Sequence, residues 1–408
     1  MTSSSASPAP SSYVQLNRWQ MFLAYATGTF GFGFHTLVGF LVPLRAQELG
    51  AEPQVIGMII GAGGLIPIFL SIPAGEWADR FGARRVYIIG AALSALATLG
   101  YALTDNYWFM LIIEFLVGFP RTMPWVASQA YISNVGTPAQ RTTIVGRFSS
   151  ATQLVQLFGP LIAGAIAALA GYKGAFWFVL LVAVTYTLMG IALPEVHNSA
   201  SGGRTKASSA GGFGAAVRLI RLPIEQTAMV MTFTRIWVLV SWGSFYPLLL
   251  ARQGIDPFII GTVLSFHGLV ATVTSLLAGP MAKRLGQVGA TGAALLVGTL
   301  GLLISPFLMV FPLFYLPSPL IGFMNGVTLP LLITLVSMGA PPDLKGVALG
   351  LRTSANRVAV TVAPVVMGTL VTTMSVSAGY VAAAGTGWGL IAMAAVIYFR
   401  GRHSERDV

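Results

Sequence analysis

The chain contains no cysteine, which excludes disulfides, thiol nucleophiles and cysteine-ligated metals. Charge is scarce as well. Asp, Glu, Lys and Arg together make up 9% of 408 residues, and the 12 acids are outnumbered by 23 Lys and Arg. A soluble protein of this length needs far more charged surface to cover itself. No nucleophile–base arrangement, metal-ligand cluster or phosphate loop can be read from the sequence, so neither an enzyme nor a cofactor or metal is expected. The net charge of +11 comes without any run of four basic residues, which argues against a nucleic-acid partner.

What is present points to a lipid bilayer. Hydrophobic residues reach 55% and mean hydropathy is +0.78. The 47 glycines and 23 prolines suit transmembrane helices, which tolerate both better than soluble helices do. Residues 1–17 are rich in Ser, Ala and Pro and read as a disordered tail. Lacking a basic segment joined to an apolar one, they do not form a signal peptide.

A helix crossing the hydrocarbon needs about 20 mostly apolar residues. Twelve stretches qualify, at about 20–44, 55–75, 86–104, 107–131, 144–170, 174–194, 225–250, 257–280, 288–310, 312–339, 347–375 and 378–399. Their connections alternate in charge. One set, with both tails, holds sixteen basic residues, among them Arg80, Arg84, Arg85, Arg141 and Lys283; the other holds only Arg45, Lys173 and Arg252. The positive-inside rule then places both termini in the cytoplasm, as an even span number requires. A multi-pass protein of the plasma membrane is expected, acting as a monomer.

The Ser/Gly-rich segment 195–223 reads as a cytoplasmic linker. It separates an N-terminal bundle (18–194) from a C-terminal bundle (224–400), followed by a tail at 401–408. The halves repeat one another at a constant offset of 204 residues. Gly50 matches Gly254, Pro53 matches Pro257, Gly57 matches Gly261, Gly82 matches Gly286, Pro160 matches Pro364 and Gly164 matches Gly368. Two homologous six-helix bundles with a site at their interface follow from this.

The eleven residues Gly75–Arg85 hold five charges between two apolar spans. The pattern Gly75-x-x-x-Asp79-Arg80-x-Gly82-x-Arg84-Arg85 resembles the loop signature of the major facilitator superfamily, with a degenerate copy at Gly279-x-x-x-Lys283-Arg284-x-Gly286. The resemblance covers residues 18 to 400. It implies an all-α fold of twelve transmembrane helices in two pseudo-symmetric bundles, and secondary active transport of a small-molecule solute by alternating access. It also implies that Gly75, Asp79, Arg80, Gly82 and Arg84 act in gating. Gly159-Pro160-x-x-Ala163-Gly164 in span 5 partly resembles the family's antiporter signature. It implies proton-coupled export, with Gly159 and Pro160 as gating elements; close helix packing around a proline bend explains the same residues.

Ionisable groups inside the hydrocarbon are functional candidates. Glu114 reads as the only carboxylate deep in a span and is the candidate for proton coupling, with His35 as a possible relay. Arg121 follows Glu114 at i+7, between Pro120 and Pro124, on nearly the same helix face; a structural ion pair is the alternative. Arg235, beside Trp237 and Trp242, is a candidate substrate ligand or a cation sheltered by aromatic faces. Arg352, Asn356 and Arg357 open span 11, and Asn325 holds the repeat position of Arg121. His267, Trp125 and Tyr246 complete the candidate binding residues, with Tyr131, Gln153 and Gln156 as further cavity liners. Four arginines against one carboxylate favour an anionic or zwitterionic solute. Uptake or exchange of a small organic anion therefore stands as the alternative to export.

Overall fold

The computed structural model describes residues 16–133, 135, 138–195, 217–341 and 344–404. Most of the expected tail and linker, with residues 405–408, fall outside them. The first four helices are α1 (Arg18–Glu48), α2 (Pro53–Phe81), α3 (Ala83–Leu103) and α4 (Tyr107–Ser133). Pro138–Ala192 follows as 55 residues that turn sharply at Gly171 (φ 70°, ψ 169°), giving α5 (138–170) and α6 (172–192). Then comes α7 (Pro223–Arg252).

The next helix, α8 (257–285), begins as Pro257–Thr274, passes through a 3₁₀ turn at Ser275–Leu277 and runs on to Gly286 (φ 71°, ψ 166°), where α9 (287–304) departs. The set closes with α10 (Pro317–Gly339), α11 (Lys345–Thr373) and α12 (Val376–Ser404). These twelve helices match the twelve expected spans, though several run longer. α1 has 31 residues, because its polar ends continue the helix beyond the apolar stretch.

Local chemistry sets the boundaries. Asn17 caps α1 in a reciprocal box with Gln20, satisfying two otherwise orphan backbone donors. Pro53, Pro223, Pro257 and Pro317 start their helices, where a missing N–H costs nothing. The 204-residue repeat reappears in the backbone. Gly82 and its image Gly286 both adopt positive φ, at 89° and 71°, a conformation that only glycine enters freely. Large apolar side chains such as Leu169, Leu276 and Phe69 lie exposed on the flanks, forming the outer surface a bilayer requires.

With an even number of crossings both ends of the chain share one face, termed here the terminal face. The opposite, far face carries the 48–53 and 252–257 connections. The two halves meet through two crossings that the repeat interchanges, α2 on α11 and α5 on α8. A methyl group on Gly57 would collide with the carbonyl of Pro364, and one on Gly368 with that of Pro53. In the image crossing, Gly164 opposes the carbonyl of Pro257 and Gly261 that of Pro160. Such bare Cα positions let backbones approach closely where lipid supplies no hydrophobic drive. Two hydrogen bonds reinforce this end: Gln54 N–H donates to Thr372 Oγ1 (2.9 Å) and Gln47 Nε2 to the carbonyl of Leu248 (3.2 Å). All these contacts lie in the far-face half of their helices. The far face is therefore sealed between the bundles.

Candidate functional site

Above this seal lies a cavity of about 490 Å³ between the halves, walled by α1, α2, α4, α7 and α11. Its polar lining is His35, Glu114, Arg121, Thr122, Ser244, Asn356 and Arg357, with Trp125 at one side. Six of the sequence candidates therefore share one space, Trp125 forming its aromatic wall. Trp125 is held there by Phe32 (centroids 4.9 Å) and Phe148 (5.9 Å).

Glu114 and Arg121 form an ion pair, Nη1 to Oε1 at 2.9 Å, with side chains only 4% and 11% exposed. Two turns of helix separate their backbones, but Pro120 and Pro124 interrupt α4 and the arginine reaches back along the shared face. Gly63 of α2 makes room for the pair. A side chain there would strike Glu114 Oε2 and come within 2.8 Å of Arg121 Nη2. Glu114 Oε2 itself has no hydrogen-bond partner. The buried Tyr101 hydroxyl is close enough to the Glu114 carboxyl to interact with it by charge and by a hydrogen-bond contact, though not one of regular geometry. His35 projects from α1 within electrostatic reach of both Arg121 and Arg357. Arg357 Nε and Asn356 Oδ1 are buried without partners.

A second group of candidates lies in the C-terminal half. Arg235 is 8% exposed and donates through Nη2 to Asn325 Oδ1 at 2.5 Å. Arg352 acts on it electrostatically, and Arg235 acts in turn on His267, whose ring packs on Trp242 (5.4 Å). These residues do not line the 490 Å³ cavity.

Several further candidates do not line this cavity. Tyr246 is fully buried and donates to the carbonyl of Phe314 (2.6 Å), fastening α7 to the approach of α10. Tyr131 donates to the carbonyl of Pro194 (3.0 Å). Trp237 donates to the carbonyl of Ala383 and stacks on Phe233 rather than on Arg235. Gln153 and Gln156 are exposed outside the cavity. A second buried carboxylate, Glu225, lies in the first turn of α7, 1% exposed with both oxygens unpartnered. Its place two residues after Pro223, at the edge of the apolar stretch, hid it from a reading based on hydropathy. Gly63 was missed for a different reason: nothing in a glycine-rich span marks which glycine faces an ion pair.

The gating candidates are positioned as follows. The side-chain surroundings of Gly75 and Asp79 fall outside the described residues. Arg80 is exposed, its guanidinium 5.3 Å from the Phe81 ring. Arg84 donates through Nη2 to the carbonyl of Ile191 (2.5 Å) and, with Arg85, approaches Glu195 at 3.7 and 3.5 Å. It thus binds the end of α6 within its own half. Gly159 packs on Thr36 of α1 (2.8 Å to a Cβ placed there), while the Pro160 carbonyl faces Gly261 across the interface.

Two six-helix bundles enclosing a polar cavity, sealed at one face, define a secondary transporter. The family model described as Major Facilitator Superfamily matches residues 21–364 and again 228–408, and the chain belongs to this family. It is 23% identical over 275 residues to Multidrug resistance protein 2 of Bacillus subtilis, covering 64% of this chain and 67% of that one. It is 26% identical over 341 residues to Multidrug resistance protein MdtG of Proteus mirabilis, covering 78% and 80%. Among solved structures it resembles a bacterial homologue of the human lysosomal transporter Spinster, inward-facing and unoccupied. There the TM-score is 0.77, with 14% identity over 94% of this chain and 96% of that one. The nucleoside transporter NupG matches with a TM-score of 0.75 and 14% identity, over 93% and 99%.

Proposed function

We propose that the protein exports a small organic solute across the plasma membrane in exchange for protons, with Glu114 as the coupling carboxylate. One observation carries this reading. Glu114 is 3% exposed, faces the cavity, has one oxygen held by Arg121 and has the other without a hydrogen bond of regular geometry. A buried carboxylate in that condition accepts either a proton or a hydrogen-bond donor from the solute. Competition for that second oxygen makes the two occupants exclusive, which antiport requires. The names of the relatives in B. subtilis and P. mirabilis, both multidrug resistance proteins, support export.

With the basic loops placed in the cytoplasm, the far face looks outward and the sealed state opens inward. Rocking of the bundles about the α2–α11 and α5–α8 crossings then exposes the cavity alternately. Arg80 and Arg84, bound within their own half here, become free to engage the other half when the terminal face closes.

Flux into proteoliposomes under an imposed pH gradient tests the proposal. Antiport accumulates the solute in the more acidic compartment, and Glu114→Gln abolishes that accumulation while sparing solute counterflow. Unchanged pH-driven accumulation in the variant refutes the assignment of Glu114. A second reading, uptake of an organic anion with protons, is favoured by Arg357, which lines the cavity with Nε unpartnered. There, protonating Glu114 releases Arg121 to bind the anion, so both ligands bind together. Accumulation in the more alkaline compartment would select it.

A further inference from the structure

The two halves treat their buried arginines differently. In the N-terminal half Arg121 is neutralised internally by Glu114. In the C-terminal half Asn325 occupies the repeat position of Arg121 and serves instead as an acceptor for Arg235. Arg235 is more than nine-tenths buried, and its hydrogen-bonded partner is a neutral amide. The charge acting on it is that of Arg352, which is repulsive, and His267 feels Arg235 in turn. No carboxylate joins these residues in an ion pair among those described.

The hydrogen-bonding inventory leans the same way. Arg235 Nε, Arg352 Nε and Trp242 Nε1 are buried donors without partners, and His267 Nε2 is unpartnered beside them. Arg235 and Trp242 are seven residues apart on α7, so they share a face. The group is rich in donors and short of acceptors. Buried cations persist when paired, and a guanidinium is shaped to hold an oxyanion through two parallel hydrogen bonds.

We propose that this cluster is an anion subsite, in which a carboxylate or phosphate of the transported solute docks on Arg235 with Arg352, Trp242 and His267 around it. The inference rests on the transporter reading and names the solute as an organic anion or zwitterion. It places the anionic group in the C-terminal half, apart from the Glu114 cavity. The ligand supplies here the negative charge that Glu114 supplies in the other half.

Equilibrium binding to the full-length protein in lipid nanodiscs, at fixed pH with no gradient, tests this separately from proton coupling. The probes are inorganic phosphate and succinate, each against sodium chloride at equal ionic strength. The thermal midpoint of the wild type should rise with at least one probe and not with chloride. Asn325→Asp, which places a carboxylate where Arg235 now meets an amide, should raise the midpoint without any probe and weaken the response at least tenfold. Should that variant fail to fold, Arg235→Gln should likewise lose the response. No rise for the wild type with either probe, or an undiminished response in the folded variants, overturns the subsite. Failure of pH-driven flux alongside intact binding would instead strike the proton-coupling reading alone.

Discussion

Gly57 lies with its α-carbon against the carbonyl of Pro364, too close for any side chain to intervene. The repeat reproduces the relationship 204 residues on, where Gly261 meets the carbonyl of Pro160 at 2.5 Å from a Cβ placed on it. Pro160 belongs to the span-5 motif, so the motif's proline bend forms part of the seal between the halves. A bulky residue at Gly57 should wedge the far face open without harming either bundle. Because the chain has no cysteine, a Leu248→Cys reporter, 5% exposed in this state at position 248, reads the seal without background. Gly57→Leu should raise its labelling rate by a membrane-impermeant maleimide about tenfold, which corresponds to roughly 1.4 kcal/mol of shifted equilibrium. An unaltered rate would show that this crossing does not control closure.

Gly63 makes the analogous test inside the cavity. Its missing side chain accommodates Glu114 Oε2 and Arg121 Nη2. Gly63→Ala forces the pair apart or displaces α2, at a cost of about 1–3 kcal/mol as for other overpacked interiors. Thermal unfolding should show that loss, and pH-driven flux should fall more than tenfold because the coupling carboxylate is displaced. Wild-type flux in a destabilised variant would separate packing from coupling.

The ion pair itself can be dissected by charge. Arg121→Gln leaves Glu114 buried without a cation and should destabilise the protein by about 3–5 kcal/mol. Adding Glu114→Gln removes the stranded charge, so the double variant should regain most of the loss. A double-mutant cycle on unfolding in mild detergent measures the difference. Additive losses would mean that the two side chains do not depend on each other.

These residues also show what the sequence could and could not reveal. Gly50, Gly82, Gly254 and Gly286 all take positive φ in the structure, and the first two match the last two at the repeat offset. Glycine and proline report backbone geometry directly, so the repeat and the twelve helices could be read from one chain. Glu114 with Arg121 was legible because a shared helix face is set by spacing. Tyr246 and Trp237 were not, because an aromatic in an apolar span looks alike whether it lines a cavity or ties helices together. The direction of Arg84 depended on where the end of α6 came to lie. That the C-terminal cluster does not line the cavity depended on how whole helices pack, which no local pattern encodes.

Asp105 offers a test on the far face, outside the spans. It accepts from Lys173 Nζ (2.8 Å) and from Arg45 Nη2 (2.6 Å), while Arg45 also holds Glu48 (2.5 Å). Three connections of the N-terminal half, at the ends of α1, α3 and α5, are thereby drawn to one carboxylate. The hydrogen bond from Lys173, aided by its charge and that of Arg45, holds the Asp105 carboxyl below its ordinary value of 3.8. A depressed value in the folded state means that the folded protein binds the proton less readily than the unfolded chain. Its contribution to stability is therefore complete above pH 3.8 and is lost as pH falls through the lower folded value. Asp105→Asn should lower the thermal midpoint at pH 7, and by as much at pH 5, with the gap to wild type closing only below about pH 4. Because Asp105 and Lys173 are exposed, the gap should also narrow in 1 M salt, the buried Arg45 being screened less. The same variant should loosen the end of α1, where Gln47 holds Leu248 of the other half. Labelling of the Leu248→Cys reporter should therefore rise with it. Equal midpoints for Asn and Asp at pH 7 would leave the cluster without a structural role.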